Sequence, residues 1–223
     1  MAGMELPSLR SAMFATGLVS AWSASAQDTS ANTASKISNF YVNGGAGVAI
    51  MRNVLTHGGD PFDVGPKVVL SAGYDVSRNI AVELQSGFAH NSWPTVFTAH
   101  SPLPPSIQPP VDIWTVPVMV NGVYQHVLYD HWRLYGGAGA GIVISTLRIE
   151  QKFFPGANVA STDCEFGYHA MVGIKYHFND HWETGLGYDF LGSLDHHWSG
   201  NGFGIVTGPT YMHSVLLSLT CKF

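Results

Sequence analysis

The last thirteen residues of the chain alternate in polarity with a period of two. One set is mostly apolar and has aromatic residues at both ends: Tyr211, His213, Val215, Leu217, Leu219, Cys221 and Phe223. The other set is small or polar and ends in a lysine: Met212, Ser214, Leu216, Ser218, Thr220 and Lys222. Because successive side chains of a strand point to opposite faces, this pattern predicts a strand with lipid on one side and a polar lumen on the other.

The same alternation recurs in seven earlier segments of about ten residues, and the connections between them are alternately short turns and long loops. The segments are residues 40–50, 67–76, 80–88, 113–124, 132–145, 166–178 and 182–190. Two of the predicted long loops span residues 150–162 and 192–209, and a proline-rich one spans residues 91–110. The chain is therefore predicted to be all-β, an eight-stranded antiparallel up-and-down transmembrane β-barrel with short periplasmic turns and long extracellular loops.

The charged residues of these strands all fall on the register opposite the apolar one. They are Lys67, Asp75, Glu83, Arg133, Lys175, Glu183, Asp189 and Lys222. A charged side chain facing lipid near the bilayer midplane costs about 2–4 kcal/mol for Arg or Lys, so this segregation is expected in a membrane. A soluble up-and-down barrel is the alternative, and it predicts the reverse, with apolar side chains inside.

The start of the chain has the features of a secretory signal peptide. Arg10 precedes an apolar stretch at residues 11–22, and Ala24-Ser25-Ala26 provides the small-x-small pattern of a cleavage site. The sequence thus predicts a signal peptide over residues 1–26 with cleavage near Ala26, a polar leader over 27–39 and a barrel domain over 40–223.

Composition excludes several other classes. The net charge of −5 does not favour a nucleic-acid partner, and no later segment has the 18 apolar residues of a membrane-spanning helix. The two cysteines do not form a disulfide scaffold. Cys164 is expected at the external end of its strand and Cys221 at the periplasmic end of the last, too far apart for a disulfide.

Several short phrases resemble the OmpA/OmpX/opacity-type outer-membrane β-barrel superfamily. Residues 40–47 read FYVNGGAG, residues 71–76 read SAGYDV, residues 172–178 read VGIKYHF, residues 185–190 read GLGYDF, and the chain ends on Phe223. This resemblance implies the outer membrane of a Gram-negative bacterium, with outer-membrane lipid and lipopolysaccharide as surroundings. It also implies that the barrel assembly machinery recognises Phe223.

A barrel of eight strands encloses only enough room for side chains. The inward charges are therefore expected to form a polar plug, with Arg133, Lys175 and Lys222 pairing with Asp75, Glu83 and Glu183 near the periplasmic end. We expect a structural or surface-interaction (adhesin-like) role, no enzymatic activity and no cofactor, with any extracellular ligand bound through the loops. A narrow porin-like channel for small solutes or ions is the first alternative.

Histidines suggest a metal site without fixing one. Asp195, His196 and His197 are adjacent on a predicted external loop, and His57, His90 and His100 are placed on others. Imidazole and carboxylate ligands suit zinc or copper, but the spacing matches no known ligand pattern. The sequence therefore favours a solvated polar loop, with no metal.

An enzymatic alternative rests on His90, Ser92 and Asp112. His90 and Ser92 share a face near the external rim, and Asp112 begins the next strand. A His–Ser pair oriented by a carboxylate is the minimum for acyl transfer. The arrangement is similar to the H-x-S motif of PagL-type lipid A deacylases, but it lies earlier in the chain than in that family, and no oxyanion hole is evident.

Overall fold

The computed structural model describes residues 39–53, 64–93, 111–149, 159–200 and 203–223. The predicted signal peptide, the leader up to residue 38, His57 and His100 lie outside the described residues. Within the described ranges, no helix is long and apolar enough to cross a bilayer.

The described residues form ten strands, eight of which belong to one barrel: β1 Phe40–Asn53, β2 Gly65–Asp75, β3 Ile80–Trp93, β4 Val111–Tyr129, β5 Trp132–Ile149, β6 Val159–His177, β7 Trp182–Ser193 and β10 Thr210–Lys222. These eight close into an antiparallel barrel with the spatial order β1-β10-β7-β6-β5-β4-β3-β2. Sequential strands are neighbours, and β1 pairs with β10 from Tyr41 opposite Lys222 to Asn53 opposite Thr210. The predicted all-β, eight-stranded up-and-down barrel is confirmed.

The two ends of the barrel differ in their connections. Short turns at residues 76–79, 130–131 and 178–181 join strands at one end, which we call the short-turn end. Backbone hydrogen bonds tighten two of them, from Val76 N–H to Ile80 O at 2.9 Å and from Phe178 N–H to Trp182 O at 3.0 Å. The longer connections leave from the opposite end, which we call the long-connection end.

The outer wall is apolar and the lumen holds the charges. Leu70, Leu84 and Leu217 are among the most exposed apolar side chains, and they lie on the outward register. Aromatic pairs mark the short-turn end of this wall, including Phe40 with Tyr74 and Trp132 with Tyr176. A soluble barrel would bury these side chains, so the arrangement is that of a barrel surrounded by lipid.

Towards the long-connection end, uncharged polar side chains such as Thr115 and Ser145 accompany an apolar cluster that the sequence did not predict. The cluster consists of Ala49, Met51, Ala89, Ile113, Met119, Val143, Leu147, Leu191, Trp198 and Met212. Three of these are methionines, whose flexible side chains fill irregular space well. The charged half of the lumen therefore ends against an apolar layer.

The predicted loop over residues 192–209 contains a separate two-stranded sheet. Strands β8 His196–Gly200 and β9 Phe203–Thr207 pair as an antiparallel hairpin. Trp198, which is 5% exposed, belongs to the apolar lumen cluster. The hairpin thus folds over the long-connection end and places an indole ring on the apolar layer.

The strands extend further than predicted, and this changes the distribution of charge. Arg52, Asp112 and Arg148 lie on the outward register close to the long connections, whereas the shorter predicted strands left no charge on that face. The cost of a charge facing outward falls to about 0–1 kcal/mol near the bilayer interface, so these positions are compatible with a membrane barrel.

Gly141 and Gly136 on β5 provide a test of the barrel's packing. A Cβ atom at Gly141 would lie 2.0 Å from the carbonyl oxygen of Val118 on β4, whereas at Gly136 the nearest atom is 3.6 Å away. We expect Gly141→Ala to lower the free energy of unfolding in urea by about 1–3 kcal/mol. Gly136→Ala should change it by less than about 0.5 kcal/mol. Equal effects would contradict the β4–β5 register.

Candidate functional site

The charged half of the lumen is centred on Glu183, which is 1% exposed. Its Oε1 atom lies 3.1 Å from Arg133 Nη1, 3.0 Å from Lys222 Nζ and 3.2 Å from His177 Nδ1. Lys222 also lies 3.9 Å from Asp75 Oδ2. These residues come from β2, β5, β6, β7 and β10, so the cluster ties together five of the eight barrel strands.

Lys175 lies deeper in the lumen, between two tyrosines, and it forms no ion pair with the part of the chain that the structure describes. Its Nζ atom is 5.7 Å from the ring centre of Tyr41 and 5.1 Å from that of Tyr135, distances at which a cation is attracted to an aromatic face. The hydroxyl of Tyr41 donates to Glu83 Oε1 at 2.6 Å. The predicted pairing of Lys175 with a carboxylate is thus replaced by contacts with aromatic rings.

A second buried cluster surrounds Lys67 and Asp189. Lys67 Nζ is 3.0 Å from Asp189 Oδ2 and donates to Ser214 Oγ at 3.1 Å. His169 Nε2 lies 3.2 Å from Asp189 Oδ1, and its Nδ1 is 2.9 Å from Asn121 Oδ1. The four basic and four acidic residues singled out from the sequence balance in formal charge, which is what burial in a membrane requires.

Little space remains between these side chains. A cavity of about 30 Å³, lined by residues that include Glu83, Lys175 and Asp189, has room for only a few water molecules. A vestibule of about 520 Å³ opens at the short-turn end beside Asp75 and Arg133. The described lumen can therefore hold water at its mouth and is filled by side chains at its centre.

The hydrolase candidates lie together on the outer wall. His90 is in β3 and not in a loop as predicted, because β3 continues to Trp93. Its Nε2 atom lies 3.3 Å from Asp112 Oδ1, and its ring is 4.3 Å from that of Trp114. Ser92 is the cross-strand partner of Asp112, but within the described part of the chain no hydrogen bond joins its hydroxyl to His90 or Asp112.

The three adjacent residues considered as metal ligands, Asp195, His196 and His197, lie in different environments. His196 is not in a solvated loop: it lies in β8, is 2% exposed, and its Nε2 atom is 2.8 Å from Ser193 Oγ. Burial lowers the pKa of its imidazole, although the Asp163 carboxylate acts in the opposite direction, so the ring is neutral at pH 7. Asp195 is exposed, and His197 is the member whose ring nitrogen lies in a group with two acidic side chains.

Those side chains, Asp163 and Glu165, were missed by the sequence reasoning. One oxygen from each and one ring nitrogen of His197 lie within 4.8 Å of one another. The sequence placed residues up to 162 in a loop and began the strand at 166, whereas β6 begins at Val159. The signal was the continued alternation of Ser161, Asp163 and Glu165, which puts all three on the inward register.

Phe223 lies at the end of β10, where its backbone N–H donates to Phe40 O at 3.2 Å and its side chain stays exposed. The cysteines are both free, with Cys164 opposite Ile144 and Cys221 opposite Val42, near opposite ends of the barrel.

Glu183→Ala tests the charged cluster. Removing this carboxylate leaves Arg133 and Lys222 without their shared partner, and breaking a buried ion pair costs about 3–5 kcal/mol. We expect a loss of that size in the free energy of unfolding, measured in urea with the barrel in lipid. The control is Asp180→Asn on the adjacent turn, where the carboxylate is exposed and 3.9 Å from His177. A loss no larger than that of the control would contradict the assigned network.

Comparison with solved structures supports the fold. Neisserial surface protein A (NspA) has a TM-score of 0.57 and 16% identity, over 83% of this chain and 98% of that one. The outer membrane protein OprG from Pseudomonas aeruginosa has a TM-score of 0.50 and 13% identity, over 84% and 97%. Ail, the attachment invasion locus protein of Yersinia pestis, has a TM-score of 0.49 and 13% identity, over 84% and 99%. At these identities the likeness to NspA and OprG shows the fold alone.

No protein of curated function matches the chain. Residues 14–223, by contrast, match the family described as outer membrane protein beta-barrel domain. In such barrels the short turns face the periplasm and the long connections face the exterior. The chain therefore belongs to the outer membrane protein beta-barrel family, and its place is the bacterial outer membrane.

Proposed function

We propose that this protein is a plugged barrel with a structural and surface-interaction (adhesin-like) role, which presents its external connections to an extracellular ligand. The observation that supports this most directly is the filling of the lumen by two consecutive layers of side chains. A barrel closed in this way lets few ions or solutes pass through its centre, so its specificity for a ligand lies on its external surface.

The first layer is the set of buried ion pairs. Lys67 with Asp189 and Lys222 with Glu183 both have nitrogen–oxygen distances of 3.0 Å. An ion path through the centre would require such pairs to separate, and leaving one partner buried alone costs about 3–5 kcal/mol. The narrow porin-like channel is for this reason the weaker alternative.

The second layer is apolar and lies nearer the exterior. Met51, Met119, Val143 and Met212 are almost completely buried, and Trp198 of the β8–β9 hairpin packs against the same cluster. An ion entering from outside would lose much of its hydration among these apolar side chains. The apolar layer thus adds a second barrier to conduction.

The partners proposed for such a barrel are outer-membrane lipid and lipopolysaccharide around its wall and the barrel assembly machinery during insertion. Phe223, exposed at the end of β10, is the residue proposed to carry the assembly signal.

Planar-bilayer recording tests the plugged lumen. We expect the wild-type barrel, once inserted and shown to be folded by heat-modifiable electrophoretic mobility, to produce no discrete opening events. Lys67→Ala removes one partner of the buried Lys67–Asp189 pair. If the barrel were a gated pore, this variant would open more often than the wild type. Open events in the wild type that become more frequent in Lys67→Ala would contradict the proposal and favour the channel.

A second candidate function is hydrolysis of a lipid ester at the outer wall, as in PagL-type lipid A deacylases. The observation that favours it is the 3.3 Å contact between His90 Nε2 and Asp112 Oδ1, with Ser92 opposite Asp112 on the same face. In acyl transfer the serine hydroxyl attacks the ester carbonyl, the histidine takes its proton and the carboxylate orients the imidazole. The group lies near the external end, at the level of the outer leaflet.

Fatty-acid release from purified lipid A distinguishes this candidate. An enzyme would release acyl chains in the wild type and lose the activity in Ser92→Ala, but keep it in Ser86→Ala, a serine on the same strand and face. Absence of release by the folded wild type, which the plugged-barrel proposal predicts, would exclude the hydrolase.

A further inference from the structure

We propose that Asp163 and Glu165 of β6 and His197 of β8 form an external binding site for a divalent transition-metal ion of the zinc class. The three residues lie at the long-connection end, outside the lumen plug and away from His90, Ser92 and Asp112. The site goes beyond the proposed surface role and does not depend on it.

The geometry is close to that of a metal site. The three ligand atoms lie within 4.8 Å of one another, and His197 Nδ1 is 3.9 Å from Glu165 Oε1. Zinc binds nitrogen and oxygen at about 2.0–2.2 Å, so two ligands on a tetrahedral ion lie about 3.4 Å apart. The His197 side chain is 66% exposed, so its ring has room to turn towards the two carboxylates.

Asp163 is held in place before any ion binds. Its Oδ1 atom accepts a hydrogen bond from Cys164 N–H at 3.0 Å, and its Oδ2 atom accepts one from His197 N–H at 2.7 Å. The second bond also joins the β8–β9 hairpin to β6. Ligands fixed by surrounding hydrogen bonds are typical of metal centres, because little entropy is then lost on binding.

His196 is an independent indication of a cation. Its imidazole is 2% exposed, yet the Nδ1 atom has no hydrogen-bond partner, and it lies 3.4 Å from Asp163 Oδ2. A buried polar atom without a hydrogen bond is uncommon, and an imidazole nitrogen is a usual ligand of zinc. The Nδ1 atom therefore offers a further nitrogen to a cation held at Asp163.

The ligand types select the class of metal. One imidazole with two carboxylates suits Zn²⁺ or Cu²⁺, whereas Ca²⁺ prefers a larger number of oxygen ligands. Among the ion pairs of the described residues, no Lys or Arg neutralises Asp163 or Glu165. The bound ion would join β6 to the β8–β9 hairpin and so stabilise the external closure that carries Trp198.

Isothermal titration of the refolded full-length barrel with Zn²⁺ alone tests the site. We expect His197→Ala and Glu165→Gln each to weaken zinc binding about tenfold or more. The control is Asp195→Asn, an exposed carboxylate on the same hairpin and outside the three-residue group, which should leave the affinity unchanged. Other histidines can also bind zinc, so the quantity to compare is the difference in zinc affinity between the wild type and each variant. Each variant must have the same heat-modifiable electrophoretic mobility as the wild type, which shows that it is folded.

Three results would overturn the proposal. The first is the same zinc affinity in the wild type, His197→Ala and Glu165→Gln. The second is an equal loss of affinity in Asp195→Asn, which would indicate only diffuse attraction to negative charge. The third is Ca²⁺ binding as tight as Zn²⁺ binding, which would exclude a site selected by the imidazole.

Discussion

The pairing of β1 with β10 is the interaction on which the rest of the structure depends. In a bilayer every backbone N–H and C=O must find its partner within the protein, and an open sheet edge has no water to bind. The ladder from Tyr41–Lys222 to Asn53–Thr210 removes the last two edges. Closure also creates an interior away from lipid, and this interior is where the charged side chains of the strands can be buried in pairs.

The small size of that interior determines what the molecule does. With eight strands, the lumen is filled by the side chains that point into it. Ion pairs around Glu183 lie towards the periplasmic end, the Lys67–Asp189 pair lies near the centre, and methionines with Trp198 lie towards the exterior. Accessible groups of ionisable side chains are found instead at the external rim, where His90 contacts Asp112 and where His197 lies beside Asp163 and Glu165.

The sequence predicted the strands and their faces because alternation with period two is a local property of each segment. The positions of Lys67, Glu83 and Lys175 followed from the same pattern. Contacts between strands depend on register around the barrel, which no single segment encodes, so the grouping of Asp163 with His197 was missed. The β8–β9 hairpin was read as a loop because its five-residue strands lie in a region rich in glycine and polar residues.

The central claim is that the outward register contacts lipid while the inward register does not. Nuclear Overhauser effects between lipid acyl protons and side-chain methyl groups, measured on the unmodified barrel in nanodiscs, test it most directly. We predict contacts from the acyl chains to the exposed Leu70, Leu84 and Leu217. We predict none to Met119, Val123 or Met212, which are buried on the inward register. Acyl contacts to the second group, with the first group in contact with protein or water instead, would contradict the membrane orientation of the barrel wall.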